Sequence, residues 1–449
     1  MTGQVHTFAR WTARTVGVVL VLIAAMAVAA PAHASGTTLY VDQNNPVCSN
    51  TGPGSWDVPF CTIQAGASHA VAGTTVLVAA GTYWERVTVP NSGTATDPIV
   101  FQATPGATVT LTGQANGFAI STKSWITVRG FNITATSKYG ISVQYSSNIT
   151  ITGNHVSYSG QPVSGLTAAG IYVKSTNDSL ISENISDHNT DGGIYVHSGS
   201  TRDTIAGNET FANARGYTRA APGIDVRSSG NTVEGNISHD NEDSGIQFYN
   251  GGGGAIIRNN VCYHNGDHGI DNLNSSKQVI VANTVYGNTT AGINVEGTPG
   301  TTASSGATLA NNISVDNALH NTFGQKGNIR VDVNSVPGTT INYDQIFLTS
   351  PGTMFNWNGK TYASLAALTA ATGQEAHGIQ ADPQWTAAAS GDFHLLAGSP
   401  AIDSAHSGVT GQPSVDIEGN SRVDDPATPN TGTGPRRYDD RGAYEFQPA

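Results

Sequence analysis

Asp267, His268 and Asp271 stand within five positions of one another, in a chain where only 12% of residues are charged. Asp225 and Asp243 lie upstream in similar surroundings, and Lys174, His197 and Arg227 supply basic groups in the same region. Grouped carboxylates bind hard cations such as Ca²⁺, and a Lys, Arg or neutral His held nearby can take a proton. Three cysteines without paired Cys/His spacing offer no zinc site. Asp225 and Asp271 are the most telling of these residues. Both sit inside short β-branched runs, where Asp is disfavoured and has no turn to cap.

What positions these residues is a repeat. The motif Gly-Ile-x-[Val/Phe]-x recurs as GISVQ (140), GIYVK (170), GIYVH (193), GIDVR (223), GIQFY (245), GIDNL (269) and GINVE (292). Asn residues after short β-branched runs form a second series at 154, 184, 208, 236, 260, 283 and 312. A third series follows at 189, 213, 241, 265, 288 and 317. A period near 23 with three short alternating runs predicts an all-β parallel β-helix, with coils stacked about 4.8 Å apart. Each Asn series then becomes a ladder of side-chain amides running from coil to coil.

On this fold Ile and Val/Phe of each motif point inward, and the two x positions form outer rows. The first row reads Ser142, Tyr172, Tyr195, Asp225, Gln247, Asp271, Asn294, and the second Gln144, Lys174, His197, Arg227, Tyr249, Leu273, Glu296. The turn before each strand adds Asp187, Asp191, Asp240, Asp243, Asp267 and His268. Two repeats are about seven residues longer, and their insertions (159–170 and 214–223) wall the same face. Tyr172, Tyr195, Gln247, Tyr249, His268 and Asn294 are the candidate substrate-binding residues: aromatic platforms and polar hooks for an extended sugar chain.

Arg10 and Arg14 precede the apolar run VGVVLVLIAAMAVAA and then AHA, the pattern of a secretory leader cleaved after Ala34. Export is expected, with no membrane span after cleavage. Removing the leader leaves 18 basic and 32 acidic side chains, a net charge of −14. Such a chain excludes a nucleic-acid role, which needs a basic face. Cys48 and Cys61 bracket a Pro/Gly-rich loop and are expected to form a disulfide, with Cys262 left buried. The organisation is a leader (1–34), an N-terminal helix cap and first coils (35–112), β-helix repeats (113–345), and C-terminal coils with a capping segment (346–449). A monomer is expected.

The repeats, roughly 110–340, resemble the right-handed parallel β-helix polysaccharide lyases, in particular the family-nine pectate lyases. The C-terminal blocks DFHLLAGSPAID, DIEGNSR and DDRGAYEF resemble the closing segments of many secreted bacterial β-helix proteins. In the lyase family a turn of pattern Asp-Asp-Gly-Trp-Asp, with an Asp from the preceding coil, binds Ca²⁺, and a Lys in a later Gly-Phe-Lys strand is the base. The matching turn here is Asp267-His268-Gly269-Ile270-Asp271 or, one coil earlier, Asp243-Ser244-Gly245-Ile246-Gln247; the Lys position reads Asn294. The resemblance implies Ca²⁺-assisted β-elimination on a uronic-acid polysaccharide. Asp225, Asp243, Asp267 and Asp271 are the candidate metal ligands, and Arg227, Lys174 or His197 the base. Two other readings stay open: an inverting glycoside hydrolase using Asp225 and Asp271, and a non-enzymatic carbohydrate-binding protein.

Overall fold

In the computed structural model, which describes residues 36–160, 168–216, 220–299, 304–319 and 326–448, the chain winds into stacked coils of short strands. The expected leader and the middles of both inserted turns (161–167 and 217–219) lie outside the described residues. Each coil gives one strand to each of three sheets. One coil runs Thr204–Ala206 in the first sheet, Glu209–Phe211 in the second and Ile224–Val226 in the third. Among the described residues the sheets contain 12, 11 and 12 strands, parallel except for a hairpin of Phe355–Trp357 and Lys360–Tyr362 that ends the third. The all-β solenoid expected from the repeat is the observed fold.

The register explains the motif. Ile141, Ile171, Ile194, Ile224, Ile246, Ile270, Ile293 and Ile329 pair in sequence through the third sheet. These isoleucines are buried in one core that runs the length of the stack. A buried Ile contributes about 1.5–3 kcal/mol, but a lone coil has nothing to bury it against, so stability belongs to the stack. The Gly before each Ile is dictated by close approach. A Cβ on Gly193 would lie 2.7 Å from the Gly223 carbonyl oxygen and 2.9 Å from Asn213 Nδ2.

Both Asn series form continuous ladders. In the turn from first to second sheet, Asn154 Nδ2 donates to Asn184 Oδ1 at 3.0 Å, and so on coil by coil until Asn312 donates to Asp344 at 2.8 Å. The ladder from Asn189 to Asn317 occupies the next turn and ends on Asn328. Buried turns need these bonds, because an unpaired buried amide is costly.

At the N-terminal end, helix α1 (Ile63–His69) is capped by Thr62 and buries Ile63, Gly66 and Ala67 beside Phe60 and Val76. The loop before it is closed by the expected Cys48–Cys61 disulfide. Cys262 is free and buried, and burial pushes its thiol up. Helix α2 (Leu365–Thr372) buries Leu368 in the core with Phe355 and Tyr362. After Gly373 the chain adds one partial coil to that end, where Glu375 N–H donates to the Ile341 carbonyl and Ile379 N–H to that of Asp344, and then leaves the stack. It runs back along the flank, where Trp385, Phe393 and Ala443 pack on Val261, Tyr263, Tyr286 and Ile313 of the second sheet. Among the described residues no helix is long and apolar enough to cross a membrane.

Candidate active site on the outer face of the third sheet

Both outer rows exist in the expected register. Tyr172 pairs with Tyr195, Tyr195 with Asp225, Asp225 with Gln247, Gln247 with Asp271 and Asp271 with Asn294. Lys174 pairs with His197, and the Arg227 backbone N–H donates to Val196 in the neighbouring coil, which sets Arg227 beside His197. The rows differ in accessibility. Tyr195, Asp225, Gln247, Asp271 and Asn294 are all buried, whereas Lys174, His197, Arg227, Tyr249 and Glu296 are partly exposed. First-row side chains are short or are held down by neighbours, and the longer second-row groups stand over them. A substrate therefore meets the second row and the turns, and the first row lies beneath it.

Asp225 shows the consequence. Its Oδ2 takes Arg227 Nε and Nη2, each at 2.7 Å. Burial pushes the Asp225 carboxyl up to about 6, with Arg227 pulling against that rise. Arg227 lies over the Tyr249 ring at 4.9 Å and 5.9 Å from the Tyr195 centroid. Asp225 Oδ2 thereby orients Arg227, while Oδ1 is buried without a hydrogen-bond partner. Tyr195 hydroxyl donates to Asp191 Oδ1 at 2.5 Å and is itself buried.

His197 lies between two positive neighbours. Burial lowers its pKa first, and Arg227 and Lys174 lower it further, to about 4. The imidazole is therefore neutral at neutral pH. Tyr172 packs 5.1 Å from it and stacks on Tyr139 at 4.3 Å with the planes 10° apart. Tyr139 was not expected: it stands immediately before the Gly of its motif, the position that His268 takes in its own coil.

The acids gather farther along. Asp243, next to Asp267 and Asp271, is pushed up to about 8 by burial and by those two like charges. Asp271 is pushed up to about 6 by burial, while Gln247 (2.9 Å) and Asn294 (2.7 Å) donate to its two oxygens. His268 is buried, with Nε2 at 3.6 Å from Asp267 and 3.2 Å from Asn294 Nδ2. Asp267 is the accessible acid of the group, its side chain 38% exposed.

One residue beyond the expected rows completes them. Arg330 pairs with Asn294 in register, donates to Asn294 Oδ1 at 2.6 Å and forms an ion pair with Glu296. Its coil reads Gly327-Asn-Ile-Arg-Val331, with an extra Asn after the Gly that hides the motif, although Ile-x-Val remained as a signal. His268, Asp271 and Glu296 offer donor atoms within 4.8 Å of one another. The Asn294 amide and the Arg330 guanidinium already engage that trio, and Asp243 and Asp267 bring two further carboxyls beside Asp271.

Comparison with known proteins agrees with this architecture. The chain aligns with pectate lyase Pel9A over 93% of its own length and 98% of that chain, at 17% identity and a TM-score of 0.54. It aligns with XylC, solved in complex with xylose, over 72% of its own length and 86% of that chain, at 13% identity and a TM-score of 0.51. These likenesses show the fold. Over 81 residues the chain is 37% identical to YwoF of Bacillus subtilis (strain 168), described as an uncharacterized protein. That match spans 18% of this chain and 17% of YwoF. The family model described as "Right handed beta helix region" matches residues 116–271 and 218–367. Those matches together span more than half of the chain, and the protein belongs to the right-handed β-helix family.

Proposed function

We propose that the protein is an exported carbohydrate-active enzyme that cleaves a uronic-acid polysaccharide by β-elimination on the outer face of the third sheet. One observation carries this reading: the accessible row sets Lys174, His197 and Arg227 in successive coils, with the imidazole held neutral between two cations. Elimination needs the uronate carboxylate neutralised so that the C5 proton becomes acidic enough to remove. Arg227, fixed by Asp225 and backed by Tyr249, meets the carboxylate. His197, one coil away and about 4.8 Å along the stack, takes the C5 proton, and the electron pair expels the O4-linked sugar. A base with pKa about 4 is weak. Burial is the larger cause of that depression and Arg227 the second; the arriving carboxylate offsets the Arg227 charge and so lifts the base part of the way toward working pH. Lys174 holds the next anionic sugar, and the Tyr139–Tyr172 stack supplies a flat wall.

Calcium fits the acidic end of the face. Asp243 is raised by burial and by the charges of Asp267 and Asp271, and Asp271 by burial and the charge of Glu296, repulsion that a cation relieves. Asp243, Asp267 and Asp271 would hold the ion, and bound there it would neutralise the carboxylate of a neighbouring uronate.

The test is a panel of uronate polymers and neutral glycans, with and without Ca²⁺, followed by near-ultraviolet absorbance and reducing ends. A rise in absorbance on a uronate polymer, lost in His197→Gln and Arg227→Ala, is expected. Reducing ends without absorbance would replace elimination by hydrolysis, and no product from any glycan would remove the enzymatic reading.

A further inference from the structure

The turn that carries the first Asn ladder has two halves. From about Asn259 onward it is roofed by the chain's own C-terminal segment: Asn259 Nδ2 donates to the Val415 carbonyl, and Asn311 Nδ2 to the His406 carbonyl. Before that point the turn is open. Three clefts follow one another there, of about 240, 450 and 390 Å³. The first and second share Thr104 and Ala107, and the second and third share Glu183, so they join into one furrow along the stack. It begins at Trp56 and Tyr40 and ends where Glu418 and Tyr444 of the C-terminal segment cross it.

We propose that this furrow is a second glycan-binding track, which holds a neutral polysaccharide chain away from the catalytic face. Trp56 is the first reason. Its side chain is 73% exposed although its loop is rigid. The loop is closed by the Cys48–Cys61 disulfide, and Tyr40 N–H donates to the Gly54 carbonyl at 2.8 Å. A large ring fixed in water is a binding platform, and Tyr40 stands edge-on to it at 5.3 Å. The second reason is the floor. Gly106 and Gly153 leave open space where a side chain would begin, so a ligand can lie against the backbone of the turn.

The lining decides the class of ligand. Where the C-terminal segment packs, the flank presents Val261, Tyr263, Tyr286 and Ile313, an apolar surface suited to a polypeptide. The open furrow instead presents Gln102, Thr104, Arg129, Thr152 and Glu183, hydrogen-bonding groups suited to hydroxyls. Its charges are mostly negative: Asp42, Glu183, Glu209 and Glu418 stand against Arg129, whose Nη2 is already bound to Gln102 Oε1 at 2.6 Å. Nothing there matches the Lys174–His197–Arg227 row, so a polyanion is not the ligand. From the strand at Thr38–Val41 to that at Leu180–Ser182 the furrow crosses five inter-strand spacings, about 24 Å, room for several sugar residues.

The experiment is native affinity electrophoresis of the mature chain in gels containing hydroxyethylcellulose, xylan or galactomannan. Retardation in at least one gel is expected. It should weaken about tenfold in Trp56→Ala, a fitting loss for a central aromatic contact, and weaken further with Arg129→Ala added. His197→Gln, which leaves the Asp225–Arg227 pair in place, should bind as the unaltered protein does, which separates this track from the proposed active site. Because Trp56 is exposed, its removal leaves folding intact, checked by an unchanged melting curve. Three results would overturn the proposal: no retardation by any neutral polymer, equal retardation of Trp56→Ala, or loss of retardation in His197→Gln alone. A concentration-dependent dimer abolished by Trp56→Ala would also overturn it, by assigning the furrow to a second copy of the chain.

Discussion

Replacing Arg227 by Ala should destabilise the protein by an amount that depends steeply on pH. Asp225 has its pKa raised from 3.8 to about 6, mainly by burial. A carboxyl raised in the folded state costs stability as pH rises. The cost is absent below about 3.8, where both states are protonated, grows between 3.8 and 6, and is complete above that. Two pKa units correspond to roughly 3 kcal/mol. Arg227 offsets what would otherwise be a larger cost, and stripping the partner from a buried ion is worth about 3–5 kcal/mol. At pH 8, Arg227→Ala should therefore lose about 3–5 kcal/mol. At pH 5 Asp225 is protonated in both proteins, and only the packing of the arginine on Tyr249 is lost, about 1 kcal/mol. Urea unfolding at both pH values measures the difference, with the slope compared to ensure that the same surface is exposed. The double variant Asp225→Asn/Arg227→Ala should recover much of the loss at pH 8. Equal losses at pH 5 and pH 8 would refute the claim that Asp225 is a buried acid stabilised by its arginine.

Asn236→Ala removes donors to Asn260 and Ile205 and the acceptor for the Asn208 backbone N–H, all buried. It should cost about 3 kcal/mol in urea unfolding, from the two or so buried groups it orphans. Asp187 is pushed up by burial but lowered overall by its bonds to His155 and His188, while His155 is raised chiefly by Asp187. The Asp187 contribution is lost as pH falls through its depressed value, and that of His155 as pH rises through its raised one. Asp187→Asn should thus lower the melting temperature more at pH 5 than at pH 8.5, by a modest amount because the histidines are exposed. A chain ended at Gly373 should bind a hydrophobic dye and aggregate, since Val261, Tyr263, Tyr286 and Ile313 lose their cover.

The amino-acid sequence by itself determined the coil, because a solenoid repeats one local solution. Gly, Ile and Asn recur where a close approach, an inward side chain and a ladder rung are needed, and each requirement acts between nearest coils. The rows Tyr172–Tyr195–Asp225 and Lys174–His197–Arg227 follow from that register, as do the two ladders. Tertiary structure decided what the register cannot express. It buried Asp225 and Asp271 beneath longer neighbours, gave Asp225 to Arg227, drew Arg330 into the row from a coil whose extra Asn breaks the pattern, and laid the C-terminal segment along a flank. Those outcomes depend on side-chain length, on charge pairing between coils and on contacts between residues more than a hundred positions apart, such as Tyr263 with Phe393. A periodic sequence specifies where a side chain points, but only the packed molecule specifies what it meets there.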